Sequence, residues 1–248
     1  MKRCIVLVCL GVTLFAHGGE EIAKKAFERV SGYRSSVSNT VMILRNAQGD
    51  ENIRRLEIKR LEGENGDRSL LVFLYPNDLK GTKLLSYEVI GGDDKQWLYL
   101  PALKRVKRIS SRNKSGSFMG SEFSYEDISS QNYKNYTYVQ EVKRVTKNGR
   151  EYFKVIRIPR DKHSGYSKQI VYIDTKENLA RFGEYYDKQG RLLKKIAFLN
   201  YEVLGGVYRV HKIVIKNVQN QKESILTWES DKINAGLGKK DFSKRVLR

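Results

Sequence analysis

KRVTKNGREYFKVIRI, residues 143–158, carries the clearest signal for the fold class. Within it, Asn148-Gly149 stands between two runs rich in Val, Ile, Tyr and Phe. A type I′ turn requires positive φ at both central residues, and Asn-Gly is the pair that adopts it most readily. The stretch therefore predicts a tight β-hairpin.

Strand-like segments continue outward from this hairpin in both directions. Leu56 and Ile58, for example, alternate with Arg55, Glu57 and Lys59, which is typical of a strand with one buried face. Turn signals rich in Gly, Asn and Asp separate the segments. Strands are predicted at 36–46, 52–62, 68–75, 82–91, 95–100, 104–109, 134–146, 150–158, 168–174, 179–187, 191–203, 207–217 and 221–229.

These strands are long and mostly neighbours in sequence, so an antiparallel sheet is expected. A large open sheet leaves two unprotected edges, and curling reduces that exposure. Ile22, Ala26 and Phe27 recur at helical spacing and predict an amphipathic helix before the first strand. The predicted fold class is mainly β with a few helices, in a curved, incompletely closed antiparallel β-barrel whose concave face receives the helix.

The first residues have the pattern of a secretory signal peptide. Met1-Lys2-Arg3 is positive, Cys4 to Ala16 is apolar, and Ala16-His17-Gly18 has small residues where cleavage occurs. The apolar run is shorter than the roughly 20 residues that span a bilayer. We therefore expect residues 1–18 to be a cleaved signal peptide, and residues 19–248 to be a single periplasmic domain beginning at Gly19. The two cysteines lie in the removed part, so no disulfide is expected.

The charge favours an anionic partner. The 248 residues contain 47 Lys plus Arg and 28 Asp plus Glu, which gives a net charge of +19 that falls to +17 without Lys2 and Arg3. Outside the cytoplasm the abundant anions are lipid headgroups and envelope polymers, so nucleic acid is not an expected partner.

No catalytic or metal-binding constellation occurs in the sequence. HExxH, GxSxG and a Gly-rich phosphate loop are all absent. His211 within a predicted strand and the acidic residues Glu122, Glu126 and Asp127 are assigned structural roles. The sequence therefore predicts no enzyme, no cofactor and no metal, and a hydrolase is the least favoured alternative.

The segment from Trp97 to Asp127 is the most informative for function. It contains an aromatic strand, a basic strand and a Gly/Ser-rich loop with large apolar side chains, which either plug or cover a cavity or close the core at one end. Candidate cavity or lid residues are Trp97, Tyr99, Leu100, Phe118, Met119, Phe123 and Tyr125. Candidate residues for docking on an anionic membrane or partner are Lys104, Arg105, Lys107, Arg108 and Arg112, although such a run is also typical of a solvated strand face.

The same segment resembles the LolA-like outer-membrane lipoprotein-sorting family, in its longer subgroup associated with RND/MMPL-type exporters. The matching residues are Trp97-Leu98-Tyr99-Leu100-Pro101, the basic run from Lys104 to Ile109, and the block from Ser117 to Asp127. The resemblance implies an unclosed barrel with helices covering its mouth and an apolar cavity that carries acyl chains across the periplasm. It also implies a possible inner-membrane RND/MMPL-type transporter as partner.

Two functions follow from these observations. The first is a non-enzymatic periplasmic carrier that binds a lipid, or the acyl chains of a lipoprotein, and moves it toward the outer membrane or to and from a transport partner. The alternative is an envelope interaction protein with a packed core that binds an acidic polymer or an exporter subunit. The presence of a cavity discriminates between them.

Overall fold

The computed structural model describes residues 18–129 and 131–247. Apart from Gly18, the predicted signal peptide lies outside the described residues. Helix α1 spans Gly19–Val30 and the short helix α2 spans Tyr125–Ile128. The first six strands are β1 (Ser35–Arg45), β2 (Glu51–Leu61), β3 (Arg68–Tyr75), β4 (Lys83–Tyr87), β5 (Lys95–Leu100) and β6 (Arg105–Ile109).

Eight further strands follow α2. They are β7 (Tyr136–Tyr138), β8 (Lys143–Lys147), β9 (Arg150–Pro159), β10 (Tyr166–Asp174), β11 (Ala180–Asp187), β12 (Leu192–Leu204), β13 (Val207–Asn217) and β14 (Glu223–Ile233). Single 3-10 turns lie at Pro101–Leu103, Ser111–Asn113, Tyr133–Asn135, Lys239–Phe242 and Lys244–Leu247. No helix within 18–129 and 131–247 has the length and apolar character needed to cross a membrane.

The strands form one antiparallel sheet that does not close. Its order is β6-β5-β4-β3-β2-β1-β14-β13-β12-β11-β10-β9-β7, with β8 also paired to β9. Strands β1 and β14 pair along most of their length, so the two ends of the chain meet in the middle of the sheet. The outermost strands, β6 and β7, remain unpaired with each other. The fold class predicted from the sequence is confirmed.

The hairpin at residues 143–158 is also confirmed. Lys147 pairs with Arg150, and the intervening Asn148 and Gly149 have φ values of 49° and 73°. Both values are positive, as the type I′ geometry requires.

Two predicted strands extend beyond the strands that the structure forms. The predicted strand at 134–146 is wrong as one element, because the chain forms β7 and β8 separately along the same partner, β9. The predicted strand at 82–91 ends at Tyr87. Beyond it, the buried Glu88 carboxylate accepts hydrogen bonds from the Asp67 backbone N–H (3.0 Å) and the Asn135 amide (2.8 Å). The chain then turns, because the Val89 N–H donates to the Asp94 side chain and the Gly92 N–H donates to the Val89 carbonyl.

Alternation along β3, β4 and β5 separates two apolar clusters on opposite faces of the sheet. Leu71, Leu84 and Leu98 belong to the main core on the concave face. Their sequence neighbours Leu70, Leu85 and Trp97 lie on the outer face, where the C-terminal segment 237–247 covers them. Phe242 and Leu247 are the fully buried anchors of that segment.

Candidate functional site

A cavity of about 310 Å³ lies between the concave face of the sheet, α1 and residues 123–133. This volume is at the lower end of the range of roughly 300–1,000 Å³ that is typical of small-molecule sites. The walls from the sheet are mainly branched and aromatic side chains, including Ile58, Leu71, Ile196, Ile213, Leu226 and Trp228. An apolar ligand would be bound here by its release from water.

Helix α1 forms the wall opposite the sheet. Ala23, Ala26, Phe27 and Val30 line the cavity. Ile22, one residue earlier, anchors the helix in a buried cluster with Val155, Val171 and Ile173 of β9 and β10. The helical spacing seen in the sequence therefore places small and apolar side chains toward the cavity.

A buried ion pair lies where β13 and β14 line the cavity. The Arg209 Nε donates a hydrogen bond to Asp231 Oδ2 at 2.7 Å, and Ser38 donates to Asp231 Oδ1 at 2.8 Å. The Arg209 guanidinium also lies 4.2 Å from the ring centre of Tyr33. Burial raises the pKa of the Tyr33 phenol, so Tyr33 is neutral here and the Arg209 charge is matched by Asp231.

A second buried polar group fixes α2 against the sheet. Ser124 and Asp127 form a capping box at the start of α2. Lys194 Nζ donates to Asp127 Oδ2 at 2.9 Å and to the Tyr166 hydroxyl at 2.8 Å, and that hydroxyl donates to Asp127. Burial, together with the Asp127 charge, raises the pKa of Tyr166, so the phenol stays protonated and donates.

Glu126 lies in a small polar pocket that adjoins the cavity. Its carboxylate accepts a hydrogen bond from the Gly165 N–H at 2.8 Å. Burial, and then the neighbouring Asp127 charge, raises the pKa of Glu126 to about 7. Lys114 and Asp161 form an ion pair of 2.5 Å in the same pocket.

Arg157 is a cavity-lining arginine whose hydrogen bonds go only to neutral groups. Its Nε donates to Gln169 at 2.8 Å, and its Nη2 donates to Gln131 at 3.1 Å and to the Tyr185 hydroxyl at 3.4 Å. The guanidinium carbon lies 4.0 Å from the ring centre of Tyr136. Within the described residues Arg157 forms no ion pair.

The seven predicted cavity or lid residues lie in three different parts of the structure. Phe123 lines the cavity. Leu100, Phe118, Met119 and Tyr125 pack in or against the main core on the concave face. Trp97 and Tyr99 belong to the outer-face cluster beneath the C-terminal segment.

The five predicted docking residues are all exposed at one edge of the sheet. Arg105, Lys107 and Arg108 belong to the edge strand β6, and Lys104 and Arg112 flank it. Across the residues that the structure describes, none of the five takes part in an ion pair. Leu103 and Val106, which are 61% and 41% exposed, lie among them.

Sequence reasoning missed the arginines that line the cavity. Arg157 had a signal, because it is in phase with Phe153 and Val155 along β9 and therefore shares their face. Arg209 likewise shares a strand with the cavity-lining Ile213 and Ile215. The alternation of side chains along a strand predicts which residues share a face, but it does not predict that this face borders a cavity.

His211 has a carboxylate neighbour that the sequence did not indicate. Its Nδ1 lies 3.2 Å from Glu202 Oε1, and the Glu202 side chain is 58% exposed. Neither residue lines the cavity. Among the described residues, no group of three or more His, Cys, Asp or Glu side chains has a metal-binding arrangement.

Other proteins of known structure share this architecture over nearly their whole length. An outer membrane lipoprotein-sorting protein domain from Vibrio parahaemolyticus is 43% identical and superposes with a TM-score of 0.87 over 93% of this chain and 97% of that one. A DUF1329 family protein from Desulfovibrio piger is 28% identical, with a TM-score of 0.86 over 93% of this chain and 98% of that one.

A LolA superfamily protein from Nitrosomonas europaea shares the fold, with 21% identity and a TM-score of 0.76 over 92% of this chain and 98% of that one. A family model described as an uncharacterized protein matches residues 65–248. The search of curated proteins gave no match. The unclosed sheet around a cavity is thus of the LolA-like class, and the chain belongs to the LolA-like outer-membrane lipoprotein-sorting family.

Proposed function

We propose that this protein is a non-enzymatic periplasmic carrier that binds a lipid, or the acyl chains of a lipoprotein, in the cavity. It would deliver this cargo toward the outer membrane or exchange it with an inner-membrane transporter of the RND/MMPL type. The observation that carries the proposal is the apolar cavity of about 310 Å³ beneath α1. Each methylene group moved from water into such a site contributes roughly 0.8 kcal/mol.

The similarity to a lipoprotein-sorting domain supports the same function, because 43% identity extends over nearly the whole chain. It also supports a periplasmic location, together with the signal-peptide pattern of residues 1–18. A fully packed interaction protein, the alternative function, would have no use for a cavity of this size.

The carrier function is tested by filling the cavity. Ala23 lines it from α1, so Ala23→Trp places a large side chain in the space proposed for an acyl chain. The control is Ala102→Trp in the exposed turn after β5. Both variants and the wild type are purified without detergent and examined by native mass spectrometry, with thermal unfolding as a check on folding.

We expect lipid to copurify with the wild type and with Ala102→Trp, and to be lost from a folded Ala23→Trp. If the wild type carries no lipid and takes up none from labelled vesicles, the carrier function is wrong. Equal lipid content in all three folded proteins would mean that binding occurs elsewhere.

We further propose that the basic edge formed by Lys104, Arg105, Lys107, Arg108 and Arg112 docks on an anionic membrane or partner. None of the five forms an ion pair within residues 18–129 and 131–247, which leaves their charges available, and the exposed Leu103 and Val106 add apolar contact area. Each basic residue near an anionic bilayer contributes about 1 kcal/mol.

The docking role is tested by charge reversal. Lys107→Glu with Arg108→Glu should slow lipid transfer between anionic liposomes at low salt and leave bound lipid unchanged. Lys176→Glu with Lys222→Glu has the same net charge and alters exposed turns away from β6. If both double variants slow transfer equally, total charge matters and this edge does not.

A further inference from the structure

Three arginines line the cavity, Arg60, Arg157 and Arg209, and Arg157 forms no ion pair in the described part of the chain. Arg209 is paired with Asp231 at 2.7 Å, and Arg60 lies around Tyr33 together with the carboxylates of Glu62 and Asp67. Arg157 instead bonds to the neutral side chains of Gln169, Gln131 and Tyr185. Arg157 is half-buried, and a charge with reduced access to water is stabilised by an opposite charge.

The surrounding groups hold the Arg157 guanidinium in a fixed orientation. The Tyr136 ring covers one face at 4.0 Å, and Gln169 fixes Nε. Tyr136 in turn donates to Gln131 at 2.6 Å, so two of the neighbours also hold each other. No hydrogen bond from Arg157 Nη1 occurs within residues 18–129 and 131–247, so this nitrogen retains its donors.

The nearby carboxylates do not replace a missing counterion. Asp127 lines the cavity, but its oxygens are bonded to Lys194, Tyr166 and the Ser124 N–H. Glu126 lines the adjoining small pocket and accepts from the Gly165 N–H. This side of the cavity therefore combines apolar walls with one surplus positive charge.

We propose that Arg157 forms a binding subsite for the anionic head, carboxylate or phosphate, of a lipid whose acyl chain occupies the cavity. A guanidinium binds either anion through two parallel N–H···O bonds. The Tyr185 hydroxyl accepts from Arg157, so its own hydrogen is available to the same anion. The inference rests on the proposed carrier function and adds the chemical class of its cargo.

The test compares three ligands with the same chain and different heads: palmitate, hexadecyl phosphate and hexadecanol. Equilibrium dialysis below the micelle concentration gives the dissociation constant of each for the wild type, Arg157→Met, Arg157→Gln and Arg157→Lys. Met is included because its flexible, unbranched apolar side chain fills part of the space of the Arg side chain without its charge. Lys176→Gln removes one positive charge from the exposed turn after β10 and serves as the control.

We expect the wild type and Lys176→Gln to bind palmitate or hexadecyl phosphate about tenfold more tightly than hexadecanol, a difference of ~1.4 kcal/mol. Arg157→Met and Arg157→Gln should lose this preference and retain hexadecanol affinity within about twofold, whereas Arg157→Lys should keep part of it. The ratio of the affinities for palmitate and hexadecyl phosphate then shows whether the subsite prefers a carboxylate or a phosphate head.

The outcomes separate this inference from the proposed function. Equal binding of all three ligands by the wild type would overturn the anionic subsite and leave the carrier in place. A preference that survives in folded Arg157→Met would assign the subsite to other residues. Binding of none of the ligands would overturn both proposals.

Discussion

Replacing Phe118 tests whether the segment between β6 and α2 is a mobile lid or the closed end of the core. Phe118 is 0% exposed and packs against Phe73 and Tyr125, with ring centres 5.8 Å and 5.4 Å away. Its backbone N–H donates to the Phe123 carbonyl at 2.7 Å, which closes a small hairpin. Such burial leads us to expect a core role.

Phe118→Ala should therefore lower the free energy of unfolding by about 3–5 kcal/mol, which is typical of a buried Phe whose removal leaves a cavity. Guanidinium chloride unfolding measures the change. The neighbouring Met119 is only half-buried, and its carbonyl accepts from Arg54 at 2.5 Å through the backbone, which the substitution retains. Met119→Ala should consequently cost less than half as much.

A mobile lid gives a different result. In that case Phe118→Ala would change the unfolding free energy by less than about 1 kcal/mol and would reduce lipid uptake by the folded protein. That combination would refute the core role of Phe118 and support a mobile lid.

Three further predictions concern single buried or strained groups. Burial raises the Glu126 pKa from 4.5 to about 7, so between these pH values the folded state binds more protons than the unfolded state. The free energy of unfolding should therefore fall as pH rises through this window. Glu126→Gln should remove that fall, which urea unfolding at about pH 5 and about pH 8 measures. Gly149→Ala places a side chain at φ 73° and should cost ~1 kcal/mol in thermal unfolding, whereas Asn148→Gly should be nearly neutral. Asp231→Asn leaves Arg209 buried without its counterion and should cost about 3 kcal/mol; a loss below ~1 kcal/mol in denaturant unfolding would show that the pair is solvated.

The secondary structure and the class of sheet can be predicted from local sequence patterns alone. The hairpin at Asn148-Gly149, the helix at residues 19–30 and most strand bounds could be predicted, because turn geometry and alternation depend on residues close together in the chain. The family resemblance was also carried by one stretch of the chain, from Trp97 to Asp127.

The partners of each face of the sheet could not be predicted from the sequence, because they depend on the folded chain. Alternation placed Trp97 and Leu98 on opposite faces, yet only the folded chain puts Leu98 in the concave core and Trp97 beneath the C-terminal segment. In the same way, Arg157 borders the cavity because β9 curves around it with α1 and residues 123–133 opposite. A period of two residues fixes which side chains share a face, whereas the curvature and coverage of that face depend on contacts between residues far apart in the chain.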